Sequence, residues 1–397
     1  MAVTSARIAI AGGSLGGLTA GNLLRDLGLD VTIYERSTHE LAERGAGIGF
    51  LPDAARYLVE RRGIALGDIS TSTDLIRYLH RDGTVAHERA HRYHFSSWNT
   101  VFRHLRSSYA DGGGRYELGR EATGLRQDAD TATIDFADGS SVEADLVVCA
   151  DGVGSVFRAQ FLPDAHRAYS GYVAWRGMVR EDELPDDIAE QLGVAITYYF
   201  HANSQILVYP IPGADGSIEP GKRLINFVWY RNYKEGDDLT DVMTDESGFV
   251  HDTTLPPGFA RPEHVAEMRA HADARLPAVI STVIKATREP FIQAVYDLTI
   301  DQMVFGRACL VGDAGVIMRP HAAAGTAKAG ANGWGLYEAL LAHDTIPDAL
   351  AVWGPQQVEI GRKLAQRTQR LGYRSQVLSN WDAPDDDTLF RLRDEGP

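Results

Sequence analysis

Cysteine is scarce. Cys149 and Cys309 are the only two in 397 residues, and both sit in apolar, strand-like runs. A disulfide framework is therefore not expected, whereas two buried reduced thiols are. No apolar run approaches the roughly 18 residues of a membrane-spanning helix. Residues Met1–Ala6 carry no basic segment followed by an apolar stretch, so no secretory leader is expected. These absences lead to the expectation of a cytoplasmic protein with no membrane partner. Basic side chains are outnumbered 39 to 54, a formal net charge of -15, which argues against a nucleic-acid surface as the main function. The 13 histidines are scattered without a cysteine or carboxylate set at ligand spacing, so no metal is expected.

What is present begins at Arg7–Arg36, RIAIAGGSLGGLTAGNLLRDLGLDVTIYER. Ile8, Ala9, Ile10 and Ala11 form the short apolar run of a buried parallel strand. A glycine turn follows at Gly12–Gly17. Leu18, Ala20, Leu23, Leu24 and Leu27 then recur at helical spacing, and Val31, Ile33 and Tyr34 make a second strand ending at Glu35. Such a strand, turn, helix, strand unit can hold a pyrophosphate against helix N–H groups, while the acidic residue accepts from ribose hydroxyls. The pattern runs Gly12-x-Ser14-Leu15-x-Gly17, with serine where the middle glycine usually lets backbone approach the phosphates. The plainer reading is a crossover whose glycines only permit close packing.

The chain is long enough for two or three domains. Residues 1–164 read as a first nucleotide-binding segment with an inserted β-meander between Tyr116 and Val148. Leu75, Tyr78 and Leu79 lead into His80-Arg81-Asp82-Gly83, with Val85 beyond, the pattern of a hairpin. Residues 165–300 are rich in β-branched and aromatic strand candidates and read as a second, mainly antiparallel domain. Residues 301–345 return to the first domain, 346–381 are helical, and the acidic 382–397 are expected to form a frayed tail. The expected fold is thus α/β plus antiparallel β, with a Rossmann-like domain, a substrate domain and a C-terminal helical segment.

Two further stretches repeat the logic of an apolar strand running into a ligand edge: Asp145–Arg158 and Gly306–Gly325. With the first turn, they resemble the p-hydroxybenzoate hydroxylase family, single-component aromatic hydroxylases that use FAD and a nicotinamide. Asp145, Asp151-Gly152, Ser155 and Arg158 match the family's second fingerprint. Gly306-Arg307, Leu310, Gly312-Asp313-Ala314, Pro320 and Gly325 match its third. GGSLGGLTA, GYVAWRG, LVYPIPG and RPHAAAGTAKA look like the dihydroxypyridine-hydroxylase branch. The chain departs from most relatives at Gly315, where they carry histidine, at Asn332-Gly333 in place of Asp-Ala, and at Trp98, where an arginine usually precedes the helix.

The resemblance implies bound FAD, with NADH or NADPH as a transient reductant. Dioxygen would form a flavin C4a-hydroperoxide whose distal oxygen attacks an electron-rich ring carbon. The implied partners are a small aromatic substrate and O2, and the C-terminal helices would close the molecule or support a homodimer. Implied FAD contacts are Gly12, Ser14, Leu15, Gly17, Glu35, Arg36, Asp151, Arg158, Gly312, Asp313, Pro320, Ala323, Ala324 and Gly325. Several have plainer readings: Asp313 as a helix N-cap, Asp151 holding its own glycine turn, Arg36 on the surface, Arg158 facing solvent or positioning Asp151. Candidate substrate contacts are Tyr172, Trp175, Arg176, Tyr198 and Tyr209, although tyrosine and tryptophan in strands are often packing residues. His321 and Tyr209 are the catalytic candidates. An unperturbed histidine titrates near neutral pH, and His321 adjoins the loop expected beside the flavin. Hydroxylation or epoxidation of another phenolic, bicyclic or non-aromatic scaffold stays open. A flavin-binding redox sensor without turnover is disfavoured by the complete set of three motifs.

Overall fold

Arg7–Ala11 is an inner strand of a six-stranded sheet in the computed structural model, which describes residues 3–41, 45–381 and 385–392. Across the sheet the strands run Val304–Phe305, Ala308–Leu310, Leu146–Cys149, Arg7–Ala11, Asp30–Tyr34 and Arg115–Glu117. Every pairing is parallel except the first, a hairpin. Ile8–Ala11 and Leu146–Cys149 are wholly buried, the near-continuous apolar burial of a covered parallel sheet. Helix Leu15–Asp26 leaves the first strand and packs against helix Gly325–Ala342. The C-terminal edge of this sheet therefore collects the Gly12, Asp151 and Asp313 turns, as the switch-point rule for open α/β sheets requires.

The second sheet has nine strands in the order Thr254–Leu255, Phe291–Asp297, Ala168–Arg180, Leu224–Asn232, Ser204–Ile211, Ala195–His201, Thr71–Leu79, Val85–Ser97 and Gly47–Gly49. It is antiparallel apart from the parallel contact of Ala195–His201 with Thr71–Leu79. Side chains alternate across it. Val173, Trp175, Phe227 and Trp229 join a separate core with Met268 and Ile280 from the helices Pro262–Arg275 and Ala278–Ala286. Tyr172, Ala174, Tyr209 and Tyr230 face the other way, into the core shared with the first sheet.

Three sequence expectations differ from the structure. The Thr71–Ser97 hairpin belongs to the second sheet, where Tyr78 stacks on Tyr198 at 5.3 Å. Tyr116 lies in a strand of the six-stranded sheet, and only Ala122–Gln127, Ala132–Phe136 and Ser141–Ala144 form the meander. Residues 385–392 of the acidic terminus are not frayed: Phe390 and Leu392 are buried and the Phe390 N–H donates to the Tyr93 hydroxyl at 2.9 Å. Acidic composition concealed two apolar anchors. The rest of that terminus lies outside the described residues.

Candidate functional site

The first turn is shaped by backbone contact. Gly12 has φ +108° and its N–H donates to the Tyr34 carbonyl at 2.8 Å. A Cβ on Gly12 would stand 2.2 Å from the Ala150 oxygen, and one on Gly17 would stand 1.9 Å from the Gly12 oxygen. Neither position tolerates a side chain. Ser14 has φ -80° and ψ -171°, ordinary extended backbone, so serine fits the middle position without strain. Its side chain caps no helix N–H and lines a cleft of about 430 Å³. Glu35 is buried at that cleft, accepting from the Gly13 N–H at 2.8 Å and the Ser37 N–H at 2.9 Å. Arg36 is exposed at its rim.

Across the cleft, Asp151 Oδ2 accepts from the Val156 N–H at 2.8 Å, while Oδ1 is buried with no hydrogen-bond partner. Burial raises this carboxyl above the usual carboxylate range. The Arg158 guanidinium donates to the carbonyls of Val153 at 2.6 Å, Ala314 at 2.9 Å and Asp313 at 3.2 Å. It ties the Asp151 loop to the Asp313 loop.

Asp313 caps no helix. Its Oδ1 accepts from Nζ of the buried Lys328 at 3.0 Å, and Lys328 also donates to the Val316 carbonyl. The three family departures have local causes. A Cβ on Gly315 would stand 2.7 Å from the Met303 methyl, so a side chain there would require that flexible methionine to shift. Asn332 accepts from the Gly312 N–H at 2.8 Å and donates to Gln357 at 2.9 Å, a pair of bonds that suits an amide better than a carboxylate. A Cβ on Gly333 would stand 3.3 Å from the Ala20 nitrogen, where the two helices meet. Trp98 stacks on Phe102 at 4.8 Å and faces the cleft.

A second cavity of about 270 Å³ continues from this cleft, the two sharing Ile48, Arg176 and Gln293. Arg176 donates to Gln293 at 2.9 Å and to the Gly47 carbonyl at 2.6 Å, and its Nε is buried without a partner. Among the described residues no carboxylate pairs with it. Tyr209 stacks on Phe95 at 4.3 Å, and burial pushes its hydroxyl up despite the nearby Arg176. His321 is buried at the cavity wall. Its Nε2 lies 2.8 Å from the Tyr172 hydroxyl and its Nδ1 3.2 Å from Gln205 Oε1, with the Tyr230 ring at 4.5 Å. Burial, with Arg319 close by, pushes the imidazole down to about 3.

A family model described as FAD binding domain-like matches residues 169–297. The 2,6-dihydroxypyridine 3-monooxygenase of Paenarthrobacter nicotinovorans is 34% identical over 381 residues, 95% of this chain and 93% of the relative. The structure of 2,6-dihydroxypyridine-3-hydroxylase from Arthrobacter nicotinovorans superposes with a TM-score of 0.93 at 32% identity, covering 99% of this chain and 98% of that one. Klebsiella pneumoniae HpxO, solved with FAD and uric acid, shares the fold at a TM-score of 0.75 and 20% identity, over 94% and 89% of the chains. The chain belongs to the FAD-binding aromatic hydroxylases. It is an FAD- and NAD(P)H-dependent monooxygenase of a small aromatic or heteroaromatic ring.

The hydroxylase's own residues fit that cofactor. The side-chain-free Gly12, the uncapped Ser14 hydroxyl at a helix N-terminus and the unpartnered Asp151 Oδ1 line one elongated cleft that opens into the ring cavity. Pro320, Ala323, Ala324 and Gly325 lie at the cavity, with Asp313 beside them. Leu15 is core, and Gly17 and Gly312 shape the backbone behind the cleft rather than lining it. Arg158 differs from its expected cofactor contact: its donors go to carbonyls, and it does not line the cleft.

On the substrate side, Arg176 and Tyr209 line the hydroxylase cavity, and Tyr172 stands behind His321. Trp175 is a correction, because alternation sends it to the opposite core, where its Nε1 faces the Tyr233 hydroxyl at 3.4 Å. Tyr198 is another, clustered with the rings of Tyr78 and Phe200 at 5.3 and 5.9 Å. His321 does not titrate near neutral pH, because full burial disfavours its charged form. Gln205, Tyr230, Gln293 and Phe390 were missed. Gln205 was legible: it lies two and four residues before Leu207 and Tyr209 on one strand, hence on the same face.

Proposed function

We propose that this hydroxylase converts 2,6-dihydroxypyridine to its 3-hydroxylated product. NAD(P)H contributes two electrons, one oxygen atom of O2 enters the ring as a hydroxyl, and the other leaves as water. The observation that carries the reading is Arg176: a guanidinium without a carboxylate partner, at the junction of the cofactor cleft and a small apolar cavity. It matches one delocalised negative charge on a planar ring, the charge that an ionised ring hydroxyl supplies. The similarity along nearly the whole chain to a 2,6-dihydroxypyridine 3-monooxygenase supports pyridine over phenol.

The Gly12–Gly17 turn and the N-terminus of helix Leu15–Asp26 would hold the pyrophosphate of FAD, and Glu35 its ribose. Asp313 would meet the ribityl chain, and the Pro320–Gly325 loop would lie beside the ring system. Bound FAD supplies storage of two electrons and activation of dioxygen. Arg176 orients the ring anion. Ile48, Leu207, Met318 and Phe390 exclude water from it. His321, kept neutral, holds its proton on Nδ1 toward Gln205 and offers Nε2 to the Tyr172 hydroxyl, so it fixes a hydrogen-bond chain behind the ring. The two unpaired buried thiols support a cytoplasmic site of action.

The reading is tested with a panel of 2,6-dihydroxypyridine, salicylate, p-hydroxybenzoate and bicyclic phenols, following NAD(P)H use, peroxide and hydroxylated product together. Tight coupling is expected with the dihydroxypyridine, and peroxide or no stimulation with the benzoates. Efficient, coupled hydroxylation of another scaffold with the pyridine inert would overturn the substrate assignment.

A further inference from the structure

Among the described residues, every one that lines the ring cavity lies at or before Thr326, with one exception, Phe390. It is contributed by the last described segment, which returns to the molecule after the long helix Ile346–Tyr373. The Phe390 ring packs 5.0 Å from Tyr93 and edge-on to Phe95 at 6.4 Å, and Phe95 in turn stacks on Tyr209. A Cβ on Gly49 would stand 3.7 Å from the Phe390 ring and 2.6 Å from the Ala323 methyl. The phenyl ring therefore faces the point where strand Gly47–Gly49 meets the Pro320–Gly325 loop.

Its position is fixed by the backbone on either side of it. The Tyr93 hydroxyl accepts the Phe390 N–H, and the Arg367 guanidinium donates to the carbonyls of Leu389 and Arg391, the latter at 3.0 Å. Arg89 pairs with Asp386 at 2.8 Å, and Arg374 pairs with Asp385. These arginines come from the second sheet and from the C-terminal helical segment, so the segment is pinned from two directions. At about 270 Å³ the cavity lies just below the usual range for small-molecule sites, roughly 300–1,000 Å³, so little room is left beyond a single ring.

We propose that Phe390 is a specificity-determining residue, a wall that restricts the hydroxylase to monocyclic rings. The proposal rests on the aromatic-ring reading above. The test uses FAD-loaded Phe390→Ala and the conservative Phe390→Leu. Each is titrated with 2,6-dihydroxypyridine and with bicyclic 2,4-dihydroxyquinoline, following the perturbation of the flavin absorbance. Removing a wall of a hydrophobic pocket is expected to raise the bicycle-to-monocycle affinity ratio by about tenfold or more in Phe390→Ala, with an intermediate rise in Phe390→Leu. For the monocycle, KM should rise several-fold and part of the NAD(P)H consumed should appear as peroxide, because the same ring excludes water from the site. If Phe390→Ala does not fold, Phe390→Leu alone decides. An unchanged ratio in the folded variants, with the wild-type enzyme still binding the monocycle, overturns the role of Phe390 and leaves the enzyme reading standing. Failure of the wild-type enzyme to bind either ring overturns both.

Discussion

His321 and Tyr172, both buried, share a hydrogen bond of 2.8 Å. With Gln205 Oε1 facing Nδ1, the partners assign the tautomer: Nδ1 carries the proton and Nε2 accepts from the tyrosine. A second proton would reverse the Tyr172 bond and place an unpaired charge beside Arg319.

His321→Gln is therefore expected to keep FAD and to slow hydroxylation without moving any limb of the pH profile between pH 5 and 8. The stability effect has a definite sign. The folded imidazole sits at about 3 against an ordinary 6.5, so the unfolded chain binds the extra proton first. Stability is fully present above pH 6.5 and is lost as the pH falls toward 3, by on the order of 1–2 kcal/mol at pH 5. Thermal melts of the two proteins across this range should converge as acid is added, since the glutamine variant lacks this loss. A parallel pair of curves would remove the assignment.

Asp313 offers a carboxylate that serves no helix and is held by Lys328. Asp313→Ala should leave the fold intact and weaken FAD binding roughly 10- to 100-fold, the worth of a hydrogen bond to a charged group. Fluorescence titration of the apoprotein with FAD, beside circular dichroism, reads both quantities. Unaltered affinity would assign Asp313 to Lys328 alone.

The Arg176 guanidinium, bonded to Gln293 and Gly47 but, among the described residues, to no carboxylate, leads to a charge-selective expectation. Arg176→Gln should lower the affinity for an ionised hydroxypyridine by about tenfold or more, while a neutral phenol of the same size loses much less. Ligand titrations at saturating FAD, with the ring ionised and then protonated, measure the difference. Equal losses for both rings would show that Arg176 only shapes the strand.

Arg223 and Glu181 form a buried pair remote from both cavities, with Arg223 Nε donating at 2.9 Å and the Gly221 N–H also donating to Glu181 at 2.7 Å. Arg223→Met strands a buried carboxylate and should cost about 3–5 kcal/mol. Denaturant unfolding reads the loss. FAD content per folded chain should be unchanged, because neither residue lines the cleft or the cavity.

The cofactor half of the site was legible because its determinants are local. Gly12 and Gly17 are demanded by carbonyl oxygens within 2.2 Å of where a side chain would begin, and such demands leave glycines at fixed spacing. The β-rich character of residues 165–300 was legible for a similar reason, since strand composition is written along the strand. Pairing is not. Nothing within Thr71–Ser97 says that it will lie beside Ala195–His201, a partner more than a hundred residues away. Trp175 and Arg176 are neighbours in sequence on opposite faces of one strand, and only the packing of helices against one face decides which reaches the ring. His321 carries no mark of its burial, and Phe390 sits in an acidic segment that reads as solvent-facing.

The strand order of the first sheet carries a consequence for how the protein is made. Leu146–Cys149 lies between Arg7–Ala11 on one side and Ala308–Leu310 on the other. During synthesis the turn at Gly12 can form early, but Leu146–Cys149 keeps an open hydrogen-bonding edge until Leu310 has emerged from the ribosome. The six strands of the second sheet that lie between Ala168 and Asp297 are translated in that interval. A nascent chain thus exposes an apolar strand edge while residues 150–310 are added, the condition under which chaperone dependence and strand-mediated aggregation arise.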